Sequence, residues 1–180
     1  SVVVIDEAYV DFGGESAVKL TEKYENLVVV QTFSKSRSLA GARVGFAVAS
    51  EALAADLNRV RNSFNPYNVN RLSALLAANA VLDKAYFEES VAKVKKSREF
   101  TKKELEKRGF TVLDSSANFL MAGSAAIGGE ELYLALKERG ILVRHFKDER
   151  IKNFVRVSIG AKEDMLKFLE EVDDITGRRS

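Results

Sequence analysis

Two uninterrupted apolar runs, at positions 2–5 and 27–30, constrain the fold of this chain more than any other feature. Neither run alternates with polar residues, and both are rich in valine. Such runs are typical of strands that are buried on both faces, as in parallel sheets. About 20 residues separate them, which is enough for the crossover that joins parallel neighbours. The sequence therefore predicts an α/β fold that starts with a parallel pair of strands.

Turn signals, helix caps and apolar stripes predict the remaining elements. We expect a domain boundary after residue 84, with a parallel-sheet part over residues 1–84 and a smaller α+β domain over residues 85–180. We expect further strands at residues 44–49, 110–113, 118–121, 141–143 and 154–159. We expect helices at residues 51–61, with Ser50 as the N-cap, and at 71–82, 85–108 and 130–139. A last helix is expected along the apolar stripe of Met165, Phe168, Leu169, Val172 and Ile175.

Composition excludes several classes of chemistry. The chain has 180 residues, with no cysteine and one histidine. Disulfide scaffolds, thiolate zinc sites and cysteine nucleophiles are therefore excluded, and a Ser-His-Asp triad is disfavoured. The 28 basic and 26 acidic residues give a net charge of +2, which does not favour a nucleic-acid partner. No apolar run has the length of a membrane span, so we expect no membrane partner and a cytoplasmic location.

Polar side chains with complementary chemistry follow the first two predicted strands. In open α/β sheets, ligands bind outside the carboxyl ends of the strands. An amine there can act as a nucleophile, a carboxylate can hold a ring nitrogen protonated, and hydroxyls with an arginine can hold a phosphate. Each residue alone also has an ordinary explanation as a turn former, a packing group or a surface charge. The candidates are Asp6, Tyr9, Thr32, Ser34, Lys35 and Arg43.

Three ordered motifs carry a resemblance to a known family. They are VIDEAY at residues 4–9, TFSK at residues 32–35 and LAGARVGF at residues 39–46. In this order and at this spacing, they resemble the core of the fold-type I, pyridoxal-phosphate-dependent aminotransferases. Later segments resemble the histidinol-phosphate aminotransferase branch, so the resemblance covers essentially the whole chain. These segments are NPYNVN at 65–70, SANF at 116–119, LVRHF at 142–146 and VRVSIG at 155–160.

The resemblance implies that the cofactor is pyridoxal 5'-phosphate and that the chain forms part of the large-domain sheet that binds it. It implies that Lys35 is the catalytic residue and binds the cofactor covalently through its amine. Asp6 would pair with the pyridinium nitrogen, and Tyr9 would hydrogen-bond to the phenolic oxygen. The ligands of the cofactor phosphate would be Thr32, Ser34 and Arg43.

The resemblance also implies the reaction and its partners. It implies transamination between a small-molecule amino donor and a 2-oxo acid, most directly histidinol phosphate with 2-oxoglutarate in histidine biosynthesis, by a homodimer. Arg156 would bind the anionic group of the substrate, with Arg144 as a helper. The same arginine serves ordinary amino acids, so another class I or II aminotransferase, or a phosphothreonine decarboxylase, stays open.

Chains of this family carry a large segment before the strand that ends at Asp6. That segment supplies backbone amides that hold the cofactor phosphate at a helix N-terminus. Because this chain opens on Ser1 inside an apolar run, we expect it to be the carboxyl-terminal half of such an enzyme. A further alternative therefore stays open, in which the chain is a folded, non-catalytic fragment.

Overall fold

The computed structural model describes residues 1–177 and divides the chain into two compact units. The first unit is Ser1–Val91, and the second begins at Ala92. This division falls inside the long helix Lys84–Lys107. The predicted domain boundary after residue 84 lies at the start of that helix and stays a prediction. Within residues 1–177, no helix is both long enough and apolar enough to cross a bilayer.

The first unit holds a three-stranded sheet in the order β1-β2-β3. Its strands are β1 (Val3–Asp6), β2 (Leu27–Thr32) and β3 (Gly45–Ala49). β1 and β2 run parallel, which confirms the prediction from the two apolar runs. β3 runs antiparallel to β2, so the expectation of a parallel sheet is wrong for this strand. Between the two strands the chain turns back on itself, where Phe33 N donates to Val44 O at 3.1 Å, so β3 returns along β2 in the opposite direction.

Burial differs between the two apolar runs. β2 lies between two strands, and its residues 27–29 are buried, as predicted. β1 has one neighbouring strand, and Val3 and Val4 are 50% and 62% exposed. The prediction of burial on both faces is therefore wrong for β1 within the part of the chain that the structure describes. The crossover from β1 to β2 consists of the short 3₁₀ segments Val10–Phe12 and Ala17–Glu22, with no α-helix.

Three helices follow the sheet, and side chains cap the first two, of which the sequence predicted the cap at Ser50. Ser50 Oγ accepts from Leu53 N at 3.4 Å, which confirms Ser50 as an N-cap. Asn70 Oδ1 accepts from Ser73 N at 2.9 Å in the same way. The helices are α1 (Glu51–Phe64), α2 (Arg71–Leu82) and α3 (Lys84–Lys107).

The second unit packs helices against an antiparallel sheet with the order β4-β5-β7-β6. Its elements are β4 (Phe110–Val112), β5 (Phe119–Ser124), α4 (Gly129–Glu138), β6 (Arg144–His145), β7 (Phe154–Ser158) and α5 (Lys162–Ile175). Its core includes Leu105, Leu120, Leu132, Leu136, Val155, Phe168 and Val172. The apolar stripe predicted for the last helix is buried at four of its five positions, which are Met165, Phe168, Leu169 and Val172.

The strand predicted at residues 141–143 lies elsewhere. Gly140 adopts a φ of +76°, and the amide of Ile141 donates to Leu136 O at 2.9 Å. These bonds form a Schellman motif that completes the end of α4. The cap uses Gly140 and Ile141, and pairing with β7 begins at Arg144.

We expect Leu136→Ala to destabilise the second unit by about 3 kcal/mol, because removing a fully buried side chain leaves a cavity. Leu134→Ala on the same helix is the matched control. Its side chain is 49% exposed, and the expected cost is about 0.5 kcal/mol. Chemical unfolding followed by far-ultraviolet circular dichroism measures both. Equal losses for the two variants would contradict the assignment of the core.

Candidate active site

The carboxyl ends of β1 and β2 meet at one edge of the sheet. Asp6 ends β1 and is paired with Val30, two residues before Thr32 at the end of β2. Because β3 is antiparallel, its first residue, Gly45, pairs with Thr32 and starts at this same edge. The direction of β3 thus brings Arg43 to the end of the sheet where the other candidates lie.

The Asp6 carboxylate is exposed at this edge. Its Oδ1 accepts from Ala8 N at 2.9 Å, which fixes the turn that follows β1. This turn leads directly into Tyr9. Asp6 therefore keeps further acceptor positions for a ligand while its own orientation is set by the backbone.

Lys35 and Tyr9 are brought together. The Lys35 Nζ atom lies over the Tyr9 ring, 5.6 Å from its centroid. Tyr9 follows β1 and Lys35 follows β2, so the contact joins the two strand ends. Two turns shape the loop around Lys35, in which Ser38 N donates to Lys35 O at 3.1 Å and Leu39 N donates to Phe33 O at 3.0 Å. The Lys35 side chain is exposed and open to a reactant.

Thr32 and Ser34 form a pair of hydroxyls beside Lys35. Their oxygens lie 2.9 Å apart, and Ser34 N donates to Thr32 Oγ1 at 3.1 Å. Both residues are half-buried. Two hydroxyls held together at a strand end are suited to donate to one anion.

Arg43 occupies an unusual backbone conformation at this edge. Its φ of 56° and ψ of 42° are left-handed, and its Nη1 donates to Ala40 O at 3.1 Å. A non-glycine residue in this region stores conformational strain, which the surrounding loop maintains. Directly after Arg43 and Val44 the chain enters β3, where Gly45 packs so closely on β2 that a Cβ would meet Gln31 O at 2.8 Å. The chain therefore keeps Arg43 in a strained conformation at the end of the sheet.

The sequence reasoning missed Glu7, which is the buried carboxylate of this edge. Glu7 is 8% exposed and accepts from Ala17 N at 2.5 Å, Ser16 Oγ at 2.7 Å and Gln31 Nε2 at 2.8 Å. Burial by itself raises the pKa of Glu7, but the three hydrogen bonds outweigh it and lower the pKa below its ordinary value. Glu7 therefore ties the crossover to β2, next to the exposed Asp6.

We expect Glu7→Gln to destabilise the first unit by about 2 kcal/mol at pH 7. The amide nitrogen of glutamine cannot accept a hydrogen bond, so at least one of the three donors to Glu7 loses its acceptor. The lowered pKa stabilises the fold above the ordinary value of 4.5, and this contribution is lost as the pH falls through the pKa of the folded state. The difference between parent and variant should therefore shrink below pH 4.5. Chemical unfolding followed by tyrosine fluorescence measures it, because four of the five tyrosines lie in this unit.

Glu15→Gln is the matched control for this pH dependence, because Glu15 is an exposed carboxylate of the same crossover. We expect its stability to follow that of the parent at every pH. A deficit in Glu7→Gln that stays constant from pH 7 to pH 3 would contradict the role given to the Glu7 carboxylate.

Arg144 and Arg156 are brought together in the second unit. They are paired across β6 and β7, and both guanidinium groups lie near the ring of Phe146, at 5.7 and 5.8 Å from its centroid. The Phe119 ring lies 5.1 Å from the Arg156 guanidinium. Within residues 1–177, Arg156 Nε is buried and has no hydrogen-bond partner. The sequence reasoning missed both phenylalanines, although Phe119 and Phe146 end two of the quoted motifs.

The edge of the sheet thus carries an amine, a carboxylate, a phenol and two hydroxyls. The model of the family "Aminotransferase class I and II" matches residues 1–172. The chain belongs to this family, which confirms the resemblance and the fold class expected from the sequence.

Individual relatives of the chain carry more specific names than the family does. The chain is 52% identical to a histidinol-phosphate aminotransferase of Brachyspira hyodysenteriae, over 96% of this chain and 49% of that protein. It is 47% identical to one of Clostridium botulinum strain Kyoto, over 99% of this chain and 50% of that protein. The chain spans about half the length of the curated relatives it matches.

Solved structures show the same similarity. The crystal structure of the histidinol-phosphate aminotransferase from Clostridium acetobutylicum superposes with a TM-score of 0.89 and 29% identity, over 99% of this chain and 55% of that one. A Sinorhizobium meliloti histidinol-phosphate aminotransferase in complex with pyridoxal-5'-phosphate has a TM-score of 0.88 and 23% identity, over 100% of this chain and 50% of that one. At that identity the second structure supports the fold alone.

Proposed function

We propose that the protein catalyses pyridoxal-phosphate-dependent transamination, with histidinol phosphate as the amino donor and 2-oxoglutarate as the acceptor. The observation that carries the proposal is the contact of Lys35 Nζ with the Tyr9 ring, at the edge of the sheet where Asp6 ends β1. The names of the relatives at 47–52% identity support this choice of substrate.

The residues at the sheet edge fit the chemical groups of pyridoxal phosphate. An exposed carboxylate at Asp6 suits a protonated ring nitrogen, because opposite charges favour each other's ionised forms. The Tyr9 hydroxyl can donate to the phenolic oxygen. The hydroxyl pair and the guanidinium suit a phosphate dianion, which takes several donors at once. These phosphate ligands are Thr32, Ser34 and Arg43.

Each of these residues would have a separate chemical role. Pyridoxal phosphate, when bound, supplies a conjugated ring that accepts the electron pair released at the substrate Cα. Asp6 keeps the proton on the ring nitrogen, and Tyr9 holds the phenolic oxygen by a hydrogen bond. Lys35 would hold the cofactor through Nζ, and its amine would move a proton to and from the substrate Cα.

The paired arginines of the second unit would bind the anionic group of the substrate. Arg156 has a buried Nε without a partner among the described residues, and aromatic rings flank its guanidinium. Arg144 is paired with Arg156 across the two strands and adds a second positive charge beside it, which favours an anion. The phosphate of histidinol phosphate and the carboxylate of the second substrate are both such anions.

We also propose that the protein is a cytoplasmic homodimer. Large apolar side chains are exposed along α1, α2 and the loop between them, which is typical of surfaces that bind protein. They include Val60, Phe64, Tyr67, Leu72, Leu75 and Leu76. Analytical ultracentrifugation of the protein at its full encoded length tests the dimer, and a monomer at micromolar concentration would contradict it.

Turnover of a substrate panel tests the proposed reaction. We expect kcat/KM for histidinol phosphate to exceed that for histidinol and for ordinary amino acids by about 10²-fold, because only the phosphorylated donor brings a dianion to the arginines. Equal rates for amino acids would indicate another class I or II aminotransferase. Release of carbon dioxide from phosphothreonine would indicate a decarboxylase. Absence of both cofactor binding and turnover at full encoded length would indicate a non-catalytic protein.

A further inference from the structure

A buried hydrogen bond lies directly beside Lys35. The Ser36 hydroxyl donates to Oδ2 of Asp11. Ser36 is only 4% exposed, and Asp11 is half-buried. A hydrogen bond to an ionised acceptor is stronger than a neutral one, and shielding from water strengthens it further. This bond is thus a strong local constraint on the backbone of the Lys35 loop.

The two partners belong to the two segments that meet at Lys35 and Tyr9. Ser36 follows Lys35 directly, and Asp11 lies two residues after Tyr9 in the 3₁₀ segment Val10–Phe12. That segment is anchored by the buried ring of Phe12 and by the bond from Phe12 N to Tyr9 O at 3.0 Å. Through Asp11, the Lys35 loop is therefore tied to the segment that carries the Tyr9 ring.

We propose that Asp11 and Ser36 are positioning residues that hold the Lys35 amine against the Tyr9 ring, and this inference rests on the proposed function of Lys35. Lys35 is exposed and has a long, flexible side chain, and the contact of its amine with the half-buried Tyr9 ring holds it only weakly. The contact at 5.6 Å therefore depends on where the backbone places Lys35. The Asp11–Ser36 bond fixes that place, and neither residue needs to touch the cofactor.

Covalent labelling of the lysines tests this role without a measurement of turnover. The protein at its full encoded length is mixed with pyridoxal phosphate, the adducts are trapped with borohydride, and peptide mass mapping gives the labelling rate of each lysine. Lys19, an exposed lysine of the same unit, is the internal reference. We expect the ratio of Lys35 to Lys19 labelling to fall about tenfold in Ser36→Ala and in Asp11→Ala, because small displacements of a reacting group are costly.

Graded variants separate positioning from a general loss of stability. Asp11→Asn retains an oxygen that accepts from Ser36, so its labelling ratio should lie between those of the parent and Asp11→Ala. The double variant Asp11→Ala/Ser36→Ala should be no worse than either single variant, since one bond is lost in all three. Ser73→Ala, which removes another buried hydroxyl of the same unit, should leave the ratio unchanged.

The outcomes distinguish this inference from the proposed function. If Lys35 is labelled no faster than Lys19 in the parent, the proposed role of Lys35 is wrong, and the positioning role is wrong with it. If the parent is selective for Lys35 and both alanine variants are equally selective, the positioning role alone is overturned. An equal fall in Ser73→Ala would also overturn it, because the effect would then follow stability.

Discussion

Lys35→Ala is expected to abolish the covalent attachment of pyridoxal phosphate and to lower transamination by about 10⁴-fold. The variant removes the amine that the structure places over the Tyr9 ring at the edge where β1 and β2 end. Because the proposed function uses this amine both for attachment and for the transfer of the Cα proton, the two losses should occur together.

Two control variants separate the chemistry of this amine from its charge. Lys35→Arg keeps a positive charge but has no amine that condenses with an aldehyde, so we expect it to lose attachment as completely as Lys35→Ala. Lys19→Ala removes another exposed lysine of the first unit and should behave as the parent does. The measurements are the absorbance of the cofactor-loaded protein, the mass of the borohydride-trapped product and the rate of turnover. A Lys35→Ala protein that still gave a stoichiometric trapped adduct would show that another residue binds the cofactor.

The sequence predicted the strands of the candidate site because their signals are local. The apolar runs and the turn residues after them identify β1 and β2, and the parallel pairing follows from the distance between them. Asp6 and Lys35 then fall at strand ends by counting along the chain. Such reasoning needs no knowledge of which side chains meet.

The features that the sequence did not predict depend on contacts between distant segments. An apolar run indicates a strand but not the direction in which it pairs, so β3 and the edge position of Arg43 came from the structure. Asp6 and Glu7 are adjacent carboxylates, yet one is exposed and the other is buried by partners 9, 10 and 24 residues away. The pattern of apolar and polar residues along the chain did not indicate which of these two carboxylates is buried. The Asp11–Ser36 bond, which joins residues 25 positions apart, is of the same kind.

Arg156→Gln is expected to lower kcat/KM for histidinol phosphate by about 10²-fold, mainly through a higher KM. Glutamine keeps a polar side chain, but it is shorter and cannot offer the positive charge or the forked donors that suit phosphate. The affinity for inorganic phosphate as a competitive inhibitor should fall by a similar factor, because that anion needs the same donors. Steady-state kinetics and inhibition by phosphate measure the two effects.

Arg150→Gln is the matched control, because Arg150 is an exposed arginine of the same unit that pairs with Asp148. An effect of general charge would appear in both variants, whereas an anion site at Arg156 predicts a loss in Arg156→Gln alone. The burial of Arg156 Nε leads to a second expectation, which concerns stability. A buried guanidinium nitrogen without a partner within residues 1–177 is costly by itself, so removing the guanidinium also removes that cost. Arg156→Gln should therefore cost affinity without costing stability. Unchanged KM and unchanged phosphate inhibition in a folded Arg156→Gln protein would contradict the anion site.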